Sequence, residues 1–221
     1  EVSSYTEKAL VRVINLLKKQ EKLTEAIPYL ENLNEIASFE ENKRFAKLNL
    51  MQGYYASNKF KKTLLLTEEV LGFNALEQIL IEDALSIRAR SAIKLNDTLM
   101  AANSYERLEN SSQKKIAAEA LYFKAERLYR TKKHKSSSAI IERIALGNGQ
   151  LGDWNAKALL LLAKNYYELD DPFQASFVLE SVIENFTTFP SIIEEAEILL
   201  VNYKAASAEE NRSINQNENE Q

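Results

Sequence analysis

A small residue recurs along this chain at nearly constant intervals: Ala26, Thr63, Ala101, Ser137 and Ala175, spaced by 37, 38, 36 and 38 residues. Four residues after each comes Leu30, Tyr105, Ile141 or Leu179, with Thr67 the one polar exception. Seven residues after each comes Leu33, Val70, Leu108, Ile144 or Val182, without exception. Upstream of every small residue lies a second apolar stripe: Leu10, Ile14 and Leu17; Met51 and Tyr54; Leu85, Ala89 and Ala92; Leu121, Ala125 and Leu128; Leu159, Ala163 and Tyr166. Spacings of three and four residues place each stripe on one face of an α-helix. Each period is therefore two helices joined by a short polar turn. A pair of this size leaves one apolar face that only the next pair can cover, so the pairs must stack.

The reading divides residues 1–206 into units of about 4–36, 42–73, 78–110, 115–146 and 154–186, followed by a capping helix at 190–206. The joining turns are Lys18–Thr24, Ser57–Lys62, Lys94–Thr98, Thr131–Ser136 and Glu168–Pro172. Asp153 before Trp154 and Asp171 before Pro172 are expected as N-caps, where a carboxylate accepts from an orphan amide. Residues 207–221 are polar, Asn-rich and nearly free of apolar side chains, which predicts a disordered tail. Of the formal net charge of −4, that tail carries Glu209, Glu210, Glu218 and Glu220 against Arg212, leaving the body near −1. Such a body has no field to attract a phosphate backbone, so nucleic acid is not an expected partner. No apolar run reaches the ~18 residues that span a membrane, and with no Cys there is neither disulfide nor thiolate chemistry. Residue 1 is Glu rather than Met, as in a processed chain or an excised piece.

The fifth unit, with Leu159, Leu162, Ala163, Tyr166, Tyr167, Ala175, Leu179 and Val182 at signature positions, resembles the tetratricopeptide repeat (TPR) superfamily. The stretch Ala156–Phe186 is also similar to the C-terminal part of large bacterial cell-envelope TPR proteins. The resemblance implies an all-α, right-handed superhelical solenoid of five helix pairs and a C-terminal capping helix. It also implies a non-catalytic scaffold that binds a peptide or protein in its concave groove, in the bacterial periplasm or at the outer-membrane periphery. The alternative is a structural or oligomerisation arm of a larger enzyme or secretion component. This chain departs from the family in its longer period, and in carrying Ile14 and Met51 where a small residue is usual.

Transferred by position, the family's groove falls here on Phe45, Gln52, Tyr55, Arg90, Tyr122, Glu126, Tyr129, Lys164 and Tyr167, with Asp83, Ser86, Glu119, Lys157 and Leu160 beside them. Tyrosines of this kind offer large contact area and a polar tip. The family's carboxylate clamp is absent: Asn15 and Asn49 stand at its two Asn positions, but Val11, Asp83 and Ile87 stand where cations are needed.

No catalytic constellation, metal site or cofactor is expected. Gly147–Gly152 matches G-x-G-x-x-G, but it lies between two helices rather than after a strand, so it reads as a helix C-cap and loop. His134, the single histidine, sits among Lys132, Lys133 and Lys135 and reads as a solvated turn residue. Trp154 is expected to pack on the preceding glycine loop, with a partner anchor as the other reading. The helical Glu clusters, such as Glu194, Glu195 and Glu197, read as solvation rather than acid–base pairs.

Overall fold

Each of five turns contains one non-glycine residue in the left-handed region: Glu21, Asn58, Asn96, Lys132 and Asp170, all with φ between 56° and 60°. They fall at intervals of 37, 38, 36 and 38 residues, the same intervals as the buried small residues. The next amide in every case donates back to a carbonyl five residues earlier: Lys22 to Leu17, Lys59 to Tyr54, Asp97 to Ala92, Lys133 to Leu128 and Asp171 to Tyr166, at 2.8–3.0 Å. This is the Schellman closure, which satisfies carbonyls that a helix end leaves open.

The computed structural model describes residues 4–145 and 151–219, with side chains for 5–145 and 151–208. Those residues are all-helical: α1 (Ser4–Lys19), α2 (Ile27–Ile36), α3 (Glu40–Ala56), α4 (Phe60–Leu71), α5 (Gln78–Lys94), α6 (Thr98–Glu106), α7 (Lys114–Arg130), α8 (His134–Ala145), α9 (Asp153–Glu168), α10 (Pro172–Asn185) and α11 (Pro190–Asn219). They divide into two units, Glu1–Ser112 and Gln113–Gln221. Within each unit every helix packs on the next in sequence, and odd helices also meet: α3 with α5, α7 with α9, α9 with α11. That is the neighbour-on-neighbour packing of an α-solenoid.

The five small residues are fully buried, as are Leu33, Val70, Leu108 and Val182, with Ile144 2% exposed. The polar small residues are satisfied, Thr63 Oγ1 donating to Lys59 O at 3.1 Å and Ser137 Oγ to Ala125 O at 2.9 Å. One core cluster fills the first unit around Ile14, Leu30, Leu33, Met51 and Val70. The second unit holds two, around Leu121 and Ile141 and around Ala163 and Leu179. No helix of the described residues is long and apolar enough to cross a membrane.

A second repeated device is polar. In helical register, the chain carries Glu7, Arg44, Glu82, Ala118 and Ala156, again at intervals of 37, 38, 36 and 38. The first three tie down the loop entering the next odd helix. Glu7 accepts from the Ser38 amide at 2.8 Å and from Asn42 Nδ2 at 2.6 Å. Arg44 donates to the Asn74 carbonyl at 2.8 Å and lies over the Phe73 ring. Glu82 accepts from Ser111 Oγ at 2.7 Å, from the Ser112 amide and hydroxyl at 3.1 and 2.9 Å, and from Gln78 at 3.1 Å. Burial alone would raise the Glu82 pKa, but these donors together outweigh it and hold the carboxyl at about 2. The Glu7 carboxyl is lowered too, chiefly by Asn42 and then by the Ser38 amide. Helical glutamates are therefore not all solvated: these two are buried, because four donors or an amide and a carboxamide replace water.

The structure corrects several local expectations. Asp171 does cap α10, accepting from the Gln174 amide at 3.0 Å, but Asp153 does not cap α9. The N-cap there is Gly152 at φ 64°, and Asp153 is the first helical residue, its carboxylate turned to Lys157. Asp97 is a cap that the pattern did not single out, accepting from the Met100 amide at 2.9 Å. The last helix does not stop near Ala206: its backbone stays helical to Asn219, because the stretch contains neither Gly nor Pro to end it. Gly147–Gln150 of the glycine motif lie outside the described residues; of its remainder, Leu151 is buried in the core and Gly152 is exposed.

Two outcomes follow. A lysine at φ 57° bears a steric cost that glycine avoids, so Lys132→Gly should stabilise the chain by ~0.5 kcal/mol after glycine's own entropy is subtracted. Asn96→Gly should gain less, since Asn tolerates this region; thermal melts compare them. Because the folded Glu82 pKa is depressed, its contribution is present above the unfolded value of ~4.3 and is lost as pH falls through about 2. Glu82→Gln should accordingly lower Tm at pH 7 by several degrees, and the gap to the parent should narrow as melts are repeated from pH 5 down to pH 2.

Candidate functional site

The nine groove candidates are all half-buried, neither sealed in the core nor fully in solvent. The first unit holds Phe45, Gln52 and Tyr55 on one face of α3 and Arg90 on α5. There Lys18 Nζ lies 5.7 Å from the Phe45 ring, and Tyr55 meets Phe60 edge-on at 6.0 Å. Asn49, at one clamp position, is buried and closes on its own helix, donating to Phe45 O at 2.7 Å. Ser86 and Glu119, placed on the groove by position, are instead buried, 2% and 5% exposed.

The second unit brings its residues together around a recess. Tyr122 and Glu126 stand on α7, Lys164 and Tyr167 on α9, and α11 supplies a third wall. A cavity of about 370 Å³ is bounded by Tyr122, by Trp154, Lys157 and Lys164, and by Ile192 and Glu195. Its floor is aromatic: the Tyr122 and Trp154 rings lie 5.5 Å apart at 49°. Its rim is a frame of paired charges. Lys157 Nζ sits 4.4 Å from the indole centroid and 2.5 Å from Asp153 Oδ2. Lys164 Nζ contacts Glu195 Oε1 at 2.6 Å.

The aromatic lining continues past the recess. Tyr167 stacks on Tyr203 of α11 at 3.7 Å, nearly parallel. Arg130 pairs with Glu126 at 2.6 Å, leaving Tyr122 among opposed charges. Burial, and then the carboxylates of Glu126 and Glu195, push the Tyr122 phenol up to about 12. Burial first, then Tyr129 and Glu168, push Tyr203 up to about 12 as well. Both hydroxyls therefore stay protonated and able to donate at neutral pH.

His134 is not a solvated turn residue. It opens α8, half-buried, with its ring edge-on to Tyr129 at 5.2 Å and Nδ1 3.3 Å from Asn165 Oδ1. Asn165 is fully buried and donates to Ser137 Oγ at 2.9 Å and Leu161 O at 3.0 Å, so the imidazole ends a buried polar chain. The neighbouring lysines remain exposed. Trp154 packs on Tyr122 of α7, which the sequence did not anticipate.

Glu195, read from the sequence as solvation, borders the recess, and Ile192 and Tyr203 were not among the groove candidates, since α11 reads as a capping helix. The signal that could have found Ile192 and Tyr203 is the stripe Ile192, Ala196, Leu199 and Tyr203, an odd-helix pattern continued one further period. Among the described residues no group of three His, Cys, Asp or Glu could hold a metal ion. The second unit presents aromatic faces, two donor hydroxyls and charges already paired. No protein-family model and no curated protein matches the chain.

Proposed function

We propose that this chain is a non-catalytic, TPR-like scaffold of five helix pairs that docks a peptide or protein segment on the odd-helix face of its second unit. The observation that carries the reading is the recess between α7, α9 and α11, floored by Tyr122 and Trp154. At about 370 Å³ it is the size of one or two large side chains rather than of an extended cofactor. Its paired rim charges can hydrogen-bond an incoming backbone without demanding a net-charged ligand, while tyrosine and tryptophan supply contact area at low entropic cost. The five equivalent Schellman turns support a five-pair repeat. A superhelical TPR arrangement and a place in a bacterial envelope assembly rest on the sequence resemblance alone.

The test removes the floor and the rim separately. Trp154→Ala and Lys164→Glu should each deplete the proteins captured by the immobilised chain from lysate of its source organism by about tenfold or more, a loss of ~1.4 kcal/mol or above. Far-ultraviolet circular dichroism should remain helical in both. Undiminished capture by both variants would sink the recess as the docking site. A loss confined to the chain's association with itself would favour the oligomerisation arm.

A further inference from the structure

A second surface lies on a different side of α11. On α10 the outward stripe i, i+4, i+7, i+11 is Phe173, Phe177, Glu180 and Glu184. The two phenylalanines are 77% and 62% exposed, and on α11, about one and two turns before the Lys204 that pairs with Glu180, Val201 is 67% and Ile198 55% exposed. The two phenylalanines, one turn apart on one helix, form an apolar ledge, and exposed apolar surface of this kind marks an interaction site. Between the helices runs a groove of about 530 Å³, bounded by Phe173, Phe177, Glu180, Lys204 and Ala208.

The ledge has an electrical polarity. Beyond the apolar end, Glu180 and Glu184 on α10 and Glu194 and Glu197 on α11 are exposed, against the single cation Lys204 among these described outward positions. Lys204 is committed to Glu180 at 2.7 Å, which leaves three carboxylates beside the apolar strip. A second copy offering the same face would bring like charge to like charge, and an anionic membrane or nucleic acid would be repelled likewise. The complementary occupant is an amphipathic helix with an apolar stripe flanked by Lys or Arg.

We propose that the α10–α11 face is a second docking surface, independent of the Trp154 recess, for a basic amphipathic helical segment of a partner protein. The apolar stripe covers Phe173, Phe177 and Val201, and the cations of the segment reach Glu184, Glu194 and Glu197.

Fluorescence anisotropy with the full chain tests this, using a labelled synthetic helical peptide with leucines on one face and lysines on the other. Two controls accompany it: its leucine–glutamate counterpart and a scrambled leucine–lysine sequence. The basic amphipathic peptide should bind, more weakly in higher salt, and the two controls should not. Phe173→Ala with Phe177→Ala should weaken binding by about tenfold or more, and Glu184→Lys with Glu197→Lys should weaken it comparably. Val201→Lys, on the facing helix, gives an independent variant should the double alanine fail to fold. Trp154→Ala should leave this binding unchanged, so loss of the recess and loss of the ledge are distinguishable. Equal binding of the scrambled peptide, binding of the glutamate peptide, or indifference to Phe173 and Phe177 would overturn the proposal. So would a dimer in sedimentation velocity that Phe173→Ala with Phe177→Ala dissolves, since the occupant would then be a second copy.

Discussion

The turn that reverses the chain after an odd helix is the constraint on which the remaining structure depends. In each of the five cases one residue enters the left-handed region, the following amide reaches back five residues, and five residues after the left-handed one comes a fully buried small residue. The turn fixes where the even helix starts, and the small residue decides how near its axis can come to the helix before it. A larger side chain at Ala26 or Ala175 would push the two helices apart and uncover Leu30 and Leu33 or Leu179 and Val182 together. Because the turn, the small residue and the apolar stripe share one spacing, the same local steric choice recurs in every helix pair.

That shared spacing also explains what could be read from the sequence. Apolar and small positions are chemically restricted, so their recurrence is visible in the letters, and the all-helical fold follows. The left-handed positions are not restricted in the same way. Glu21, Asn58, Asn96, Lys132 and Asp170 share a backbone conformation and little chemistry, and a lysine or glutamate announces no turn. The Glu7 and Glu82 ties were hidden for another reason: their donors lie 30–35 residues away at Ser38, Asn42 and Ser112, so an isolated glutamate on a charged helix looks solvated until the loops are in place. Tyr122 and Lys164, placed on the groove by position within the period, both border the recess. Ile192 and Glu195 were not placed there, since reading α11 as a closing cap removed its side chains from consideration as a wall.

The position occupied by Glu7, Arg44 and Glu82 separates the two units. In the first unit it carries a charged group that holds a loop by hydrogen bonds; in the second, Ala118 and Ala156 are buried there with nothing to donate or accept. Alanine leaves α7 and α9 joined through apolar contact, and the polar tasks move elsewhere, to the Asn165–Ser137–Ala125 chain that His134 ends. A carboxylate tie depends on ionisation, whereas an apolar contact does not. Acid therefore weakens the two loops held by Glu7 and Glu82, while leaving the Arg44 tie and the alanine positions of the second unit untouched.

The two faces of α11 differ in a way that bears on what each can hold. At the recess the cations are neutralised within the chain, Lys157 by Asp153 and Lys164 by Glu195, so an occupant gains little from net charge and is selected by shape and by aromatic contact. At the ledge, among the described residues, Lys204 alone offsets the neighbouring glutamates, so charge selects the occupant and salt weakens the selection. Exposed apolar surface is retained at Phe173 and Phe177 although a polar residue there would keep the helix equally well in water. The acidic rim limits the hazard of that exposure by opposing self-association, and the same rim defines the sign of the partner. One helix thus borders both the recess and the groove, Ile192 lining the first and Lys204 and Ala208 the second.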